Sequence, residues 1–204
     1  YQAACSLAGA KVLTYELSEK TGWLPDLKAL ESRDLSKVKI MWVNYPHMPT
    51  GAKSDLSFFQ QLKDFAQKHS ILLVNDNPYS FILNEEPISM LSIPGMMEVG
   101  IELNSLSKSH NMAGWRIGAL MGQSEFLNPV LKFKSNMDSG MFLPLQEAAA
   151  KAAHKKEKEK EKESSKDEDS VPGDNPQAQS AKKKKKKDKK KEAEVEAEVD
   201  IVEV

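Results

Sequence analysis

Cysteine is nearly absent from this chain of 204 residues. Cys5 stands alone, so no internal disulfide can form and a stapled secreted scaffold is excluded. Long apolar runs are missing as well. None approaches the roughly 20 residues that a membrane-spanning helix requires, which argues against an integral membrane protein. No basic-plus-apolar leader is seen, and that favours a cytoplasmic protein. The four histidines, His47, His69, His110 and His154, show no metal-ligand spacing, so no metal site is expected. Aromatic residues stop at Phe142: three tryptophans, four tyrosines and seven phenylalanines all lie between Tyr1 and that position. By contrast, His154–Val204 holds fifteen lysines and fifteen acids in fifty-one residues, so the formal net charge of -1 conceals dense, opposed charge blocks. Such a segment cannot bury enough apolar surface to offset its ordering entropy, and residues 154–204 are expected to form a disordered Lys/Glu-rich tail. Residues 1–153 remain as one domain, long enough for a core of its own.

Within that domain the hydrophobic patterning alternates between strand and helix. Lys11–Leu17 reads as a strand, followed by a turn at Thr21-Gly22 and a short helix opening at Pro25-Asp26. The continuous apolar run Lys39–Val43 predicts a strand covered on both faces. After the Pro/Gly-rich loop Asn44–Gly51, Ser54 or Asp55 can cap a helix. Its apolar stripe is Leu56, Phe59, Leu62 and Ala66, flanked by Phe58 and Phe65. Ile71–Val74 is the next buried strand, which completes a βαβ unit and implies parallel strands with a right-handed crossover. Further strands are expected at Val99–Leu103 and Trp115–Met121. Between those two lie eleven residues, too few for an ordinary parallel return, so the second strand of this pair is expected to run antiparallel. Helices are expected over Ser124–Lys134 and from Leu145 onward. The fold class is therefore α/β: a mostly parallel sheet with one antiparallel strand and helices on both faces.

Polar residues follow the strand ends. Asn44 comes after Val43, and Asp76 after Val74. Ser105, Ser107 and Lys108 come after Leu103, and Arg116 stands near the start of the antiparallel strand. Open α/β sheets bind ligands beyond the carboxyl ends of their strands, so these side chains can share one crevice. An acid, hydroxyls, an amine and a guanidinium together suggest a phosphorylated aldehyde cofactor. Lysine forms Schiff bases with carbonyls, serines and arginine donate to phosphate, and an acid such as Asp76 keeps a pyridine nitrogen protonated.

The segment Ser105-Leu106-Ser107-Lys108, continuing to Gly114-Trp115-Arg116-Ile117-Gly118, resembles the cofactor-lysine motif of fold-type I pyridoxal-phosphate-dependent aminotransferases, the class I/II family. Asn75-Asp76-Asn77-Pro78-Tyr79 resembles that family's aspartate-x-x-tyrosine element. Asn44 with Pro49-Thr50-Gly51 is similar to its asparagine and proline-rich loop. The aspartate-type and diaminopimelate-type subgroup is the nearest. The resemblance implies that Lys108 holds pyridoxal 5'-phosphate as a Schiff base and shuttles the substrate proton. Asp76 would pair with the ring nitrogen, and Tyr79 would hydrogen-bond the phenolic oxygen. Ser105, Ser107 and Arg116 would grip the phosphate, with Asn44 nearby. It further implies amino acid and 2-oxo acid substrates and, for the intact family, a homodimer.

The family usually has asparagine just before Pro-Thr-Gly, where this chain has Met48. A thioether is a weak acceptor without a donor, so that bond is lost or is supplied by Asn44 or His47. The family's phosphate loop and the aromatic that stacks on the ring would precede Tyr1. The small domain with the carboxylate-binding arginine would follow Ala153. A truncated large domain joined to unrelated sequence is therefore expected, and the reading of an inactive fragment stands beside that of an active enzyme. Two other readings compete: a carbon–sulfur lyase of the same fold, and a non-catalytic fragment acting through its charged tail. Lys182–Lys191, nine lysines around Asp188, is the one candidate nucleic-acid contact. It lacks interleaved aromatics for base stacking, so a solvated tail is favoured.

Overall fold

A computed structural model describes residues 1–82, 84, 86–138 and 140–154, together with the backbone of Asp200–Glu203. In chain order the elements are α1 (Gln2–Leu7), α2 (Leu27–Glu31), β1 (Ile40–Val43), α3 (Leu56–His69), β2 (Leu72–Asp76), β3 (Gly100–Ser105), α4 (Leu106–Ser109), β4 (Gly118–Gly122), α5 (Ser124–Met137), α6 (143–154) and β5 (Asp200–Glu203). The sheet runs in the order β1-β2-β3-β4-β5. Strands β1, β2 and β3 are parallel to one another, and β4 runs against both of its neighbours. The anticipated α/β sheet with a single reversed strand is thus observed.

The β1–α3–β2 crossover forms for local reasons. Asp55 caps α3, its Oδ1 accepting from the Phe58 amide at 2.7 Å, and Ser70 closes the helix in the left-handed region at φ 54°. A good N-cap of this kind contributes about 1 kcal/mol. The apolar stripe of α3 then buries Phe58, Phe59, Leu62, Phe65 and Ala66. Each phenylalanine or leucine among them contributes roughly 1.5–3 kcal/mol when removed from water, so packing rather than helix propensity holds α3 in place.

Because successive strand side chains point to opposite faces, the sheet carries two separate cores. Met41, Val43 and Leu73 meet α3 and the Met90 and Met96 side chains on one face. Val74, Ile101 and Leu120 meet Leu127 of α5 on the other, with Trp42, Leu72 and Leu103 packed against them. Helices therefore cover both faces.

Three expectations need correction. Lys11–Leu17 is not a strand. Its tether is made by side chains instead of a ladder: Arg33 Nη1 donates to the Thr14 carbonyl at 2.7 Å, and Tyr15 Oη donates to the Trp42 carbonyl at 2.5 Å. Val12 and Leu13 are left exposed. The antiparallel strand starts at Gly118 rather than Trp115, since Ala113–Trp115 forms a 3-10 turn and Arg116 is left-handed at φ 56°. Lastly, Asp200–Glu203 pairs with β4, which departs from the expectation of an unstructured tail at those four positions. The remainder of that segment from residue 155, including Lys182–Lys191, lies outside the described residues. No helix among the described residues is long and apolar enough to cross a membrane.

Candidate active site

The carboxyl ends of β1, β2 and β3 bring the sequence-predicted residues to one edge of the sheet. Asn44 directly follows β1, and Asp76 ends β2. Parallel register sets Asp76 beside Leu103, and antiparallel register sets Ser105 beside Gly118. Ser107 and Lys108 lie in α4, immediately beyond β3, while Arg116 closes the 3-10 turn that leads into β4. Tyr79 sits three residues past β2, in a turn closed by the Ile82 amide donating to the Tyr79 carbonyl at 3.0 Å.

Asn44 is the joint between two strand ends. Its Nδ2 donates to the Asp76 carbonyl, and its Oδ1 accepts from the Met48 amide at 2.8 Å. The side-chain amide therefore holds both the backbone of Asp76 and the start of the proline-rich loop. Met48 itself is exposed. His47 Nδ1 is bonded to Thr50 Oγ1 at 2.7 Å, so its ring serves the loop.

The Asp76 carboxylate lies on the same face of the sheet as Trp42. The Tyr1 ring stacks on Trp42 with centroids 4.5 Å apart, and the Tyr1 phenol donates to Asp76 Oδ2 at 2.5 Å. Burial, then the hydrogen bond and charge of Asp76, push the Tyr1 phenol well above its ordinary value, with Tyr15 and Tyr79 adding in the same direction. Asp76, Tyr15 and Tyr79 thus all act on Tyr1 electrostatically. Asp76 Oδ1 has no hydrogen bond among the described residues.

On the β3–β4 connection, Ser105 caps α4. Its Oγ accepts from the Ser107 amide at 3.2 Å and donates to the Ile117 carbonyl at 3.4 Å. Lys108 is exposed, and its amine makes no hydrogen bond or ion pair among the described residues. Arg116 is exposed too, and its Nη1 donates to the Ala113 carbonyl at 3.1 Å, leaving the rest of the guanidinium to act elsewhere.

Sequence reading missed two participants. Tyr1 carried no local signal, since its bond to Asp76 joins positions 75 apart. Glu102 was the other. It is 2% exposed, yet it faces three donors: Asn75 Nδ2 at 2.9 Å, Asn77 Nδ2 at 3.2 Å and the Met90 amide at 2.9 Å. A charged residue inside a strand covered on both faces, opposite an asparagine in register, was the available signal. Buried carboxylates persist when donors of this kind satisfy them.

The chain is similar to known proteins in both sequence and fold. The sequence profile described as "Aminotransferase class I and II" matches residues 1–170. The chain belongs to the class I and II aminotransferase family. It is 44% identical over 154 residues to an LL-diaminopimelate aminotransferase of Dehalococcoides mccartyi, covering 74% of this chain and 40% of that protein. It is 40% identical over 159 residues to the LL-diaminopimelate aminotransferase of Aquifex aeolicus, covering 77% and 41%. Among solved structures it resembles apo-BacF from Bacillus subtilis, with a TM-score of 0.71, 37% identity and coverage of 74% of this chain and 39% of that one. An aminotransferase from Staphylococcus aureus gives a TM-score of 0.69 at 30% identity, covering 74% and 40%. The chain spans about 40% of the length of the curated relatives it matches.

Proposed function

We propose that this site serves pyridoxal 5'-phosphate-dependent transfer of an amino group between an amino acid and a 2-oxo acid. The observation that carries the reading is the common sheet edge. Asp76 ends β2 beside Leu103, and Lys108 follows β3 five residues after that same leucine. The donor set fits the cofactor: Lys108 Nζ and Asp76 Oδ1 both lack partners among the described residues, while hydroxyls and a guanidinium stand on the adjoining β3–β4 connection.

When bound, the cofactor supplies a reactive carbonyl carbon and a ring that draws electrons from the substrate carbon. Lys108 Nζ would hold the group covalently and would take and return the proton at the reacting carbon. Asp76 accepts a hydrogen bond from the protonated ring nitrogen and keeps that proton in place. Tyr79 donates its phenolic proton toward the ring's own hydroxyl oxygen. Ser105, Ser107 and Arg116 donate to the phosphate, the arginine being able to bond two oxygens at once. Asn44 orients Asp76 through its carbonyl. The names of the curated relatives favour LL-diaminopimelate as the amino-acid substrate, and a homodimer is the form proposed for the intact enzyme.

The test is chemical. Incubating the chain with pyridoxal 5'-phosphate, reducing with borohydride and mapping the product by mass is expected to locate an adduct on Lys108 that is absent from Lys108→Ala. A folded parent chain that yields no adduct at Lys108 overturns the proposal.

A further inference from the structure

The two residues flanking Asp76 are both asparagines, and both are almost completely buried: Asn75 is 0% and Asn77 1% exposed. Each side-chain Nδ2 donates to the same carboxylate, Glu102, on the neighbouring strand. Glu102 Oε2 also accepts from the Met90 amide, and the other end of Asn75 accepts from the Tyr45 amide at 3.1 Å. Register places Asn75 directly beside Glu102 and Asp76 beside Leu103. Strand alternation then sends Asn75 and Glu102 to the α3 face and Asp76 to the Trp42 face. One buried acid therefore grips positions i-1 and i+1 from behind while position i points the other way.

We propose that Glu102 is a positioning residue for Asp76. By holding the amides of Asn75 and Asn77, it fixes the backbone on both sides of Asp76 where β2 ends, and so sets the direction of the Asp76 carboxylate. The sheet ladder gives out at this point. The Asn77 amide still donates to the Leu103 carbonyl at 2.8 Å, and Asn104 Nδ2 donates to the Asn77 carbonyl at 3.0 Å. Beyond them the chain turns away at Pro78. All three contacts of Glu102 donate to it, which matches the acceptor-only chemistry of an ionised carboxylate. A glutamine in its place offers one oxygen and one N–H2 group to three donors, so at least one of Asn75, Asn77 and Met90 loses its acceptor.

This role rests on the reading that Asp76 faces the cofactor's ring nitrogen, and the test separates the two. Binding of pyridoxal 5'-phosphate is compared with binding of its 1-deaza analogue, in which carbon replaces that nitrogen, for the parent chain, Glu102→Gln and Asn77→Ala. A Glu102 that acts through Asp76 weakens the natural cofactor by about tenfold in E102Q, the loss of one bond to a charged group. The deaza analogue, which Asp76 cannot grip, is expected to bind E102Q as it binds the parent. Asn77→Ala keeps Glu102 paired with Asn75 and Met90, and it is expected to show the same selective loss at smaller size. It decides the matter if E102Q does not fold. Equal weakening of both cofactors in the variants, or no change in either, overturns the positioning role while the cofactor reading stands. A parent chain that takes up neither compound overturns the cofactor reading, and the role of Glu102 falls with it.

Discussion

Tyr1 and Asp76, 75 positions apart, meet through a phenol-to-carboxylate hydrogen bond of 2.5 Å. The bond joins the first residue of the chain to the end of β2, on the face where Trp42 offers its ring to Tyr1. Burial and the neighbouring carboxylate both favour the neutral phenol, so Tyr1 acts as a donor throughout the neutral range.

Tyr1→Phe removes that donor and keeps the stacked ring. Although its phenol is partly buried beside Asp76, Tyr1 as a residue is 59% exposed, so the expected loss is about 1 kcal/mol, below the roughly 1.5–3 kcal/mol usual for a bond to a charged group. Tyr1→Ala also removes the contact with Trp42 and is expected to cost roughly 0.5–1.5 kcal/mol more. Urea denaturation of the three chains checks both values.

Tyr15 predicts how the fold responds to alkali. Burial pushes its phenol up to about 12 from the ordinary 10.0. Between those values the unfolded chain has released a proton that the folded chain retains. Stability from this group is complete below pH 10 and falls as pH rises toward 12, by about 2–3 kcal/mol in all. The phenols of Tyr1 and Tyr45 are also raised, with burial the largest cause, so Tyr15→Phe is expected to lessen the alkaline slope without abolishing it. Denaturation midpoints followed across that pH window test the sign.

Asp55→Ala withdraws the cap from α3 and is expected to destabilise the chain by about 1 kcal/mol, whereas Asp55→Asn retains most of the effect. Equilibrium unfolding followed by circular dichroism distinguishes the two.

Gly122→Ala tests the close approach on the α5 face. An added methyl would stand 2.7 Å from Ile101 Cγ2, and a β-branched side chain in a strand has little freedom to yield. The expected loss is roughly 1–3 kcal/mol, read as a lower melting temperature.

The strand–helix–strand order was legible because its segments obey clear periodicities. The stripe of α3 repeats at helical spacing, and β1 and the first part of β2 are apolar runs. The reversal of β4 was legible from the short connection before it. Lys11–Leu17 misled for the same reason that β1 did not: its alternation resembles a strand, but periodicity cannot tell whether a partner exists, and Tyr15 found the Trp42 carbonyl through its side chain. Arg116 was placed at the strand's beginning because sequence carries no mark of the left-handed turn that precedes Gly118. At the site, Asn44, Asp76 and Ser105 were legible as polar residues following apolar runs. Tyr1 was not, and Glu102 showed only as a charge inside a strand, since each depends on a contact between distant segments.

The two cores of the sheet differ in size. Among the described residues, fifteen buried side chains support the α3 face, while four support the face that carries Trp42 and Asp76. Subglobal opening is governed by the apolar surface that must be released. Amide protons of α5 and β4 should therefore exchange with deuterated solvent sooner than those of α3, which makes the side that carries Asp76 the first to breathe.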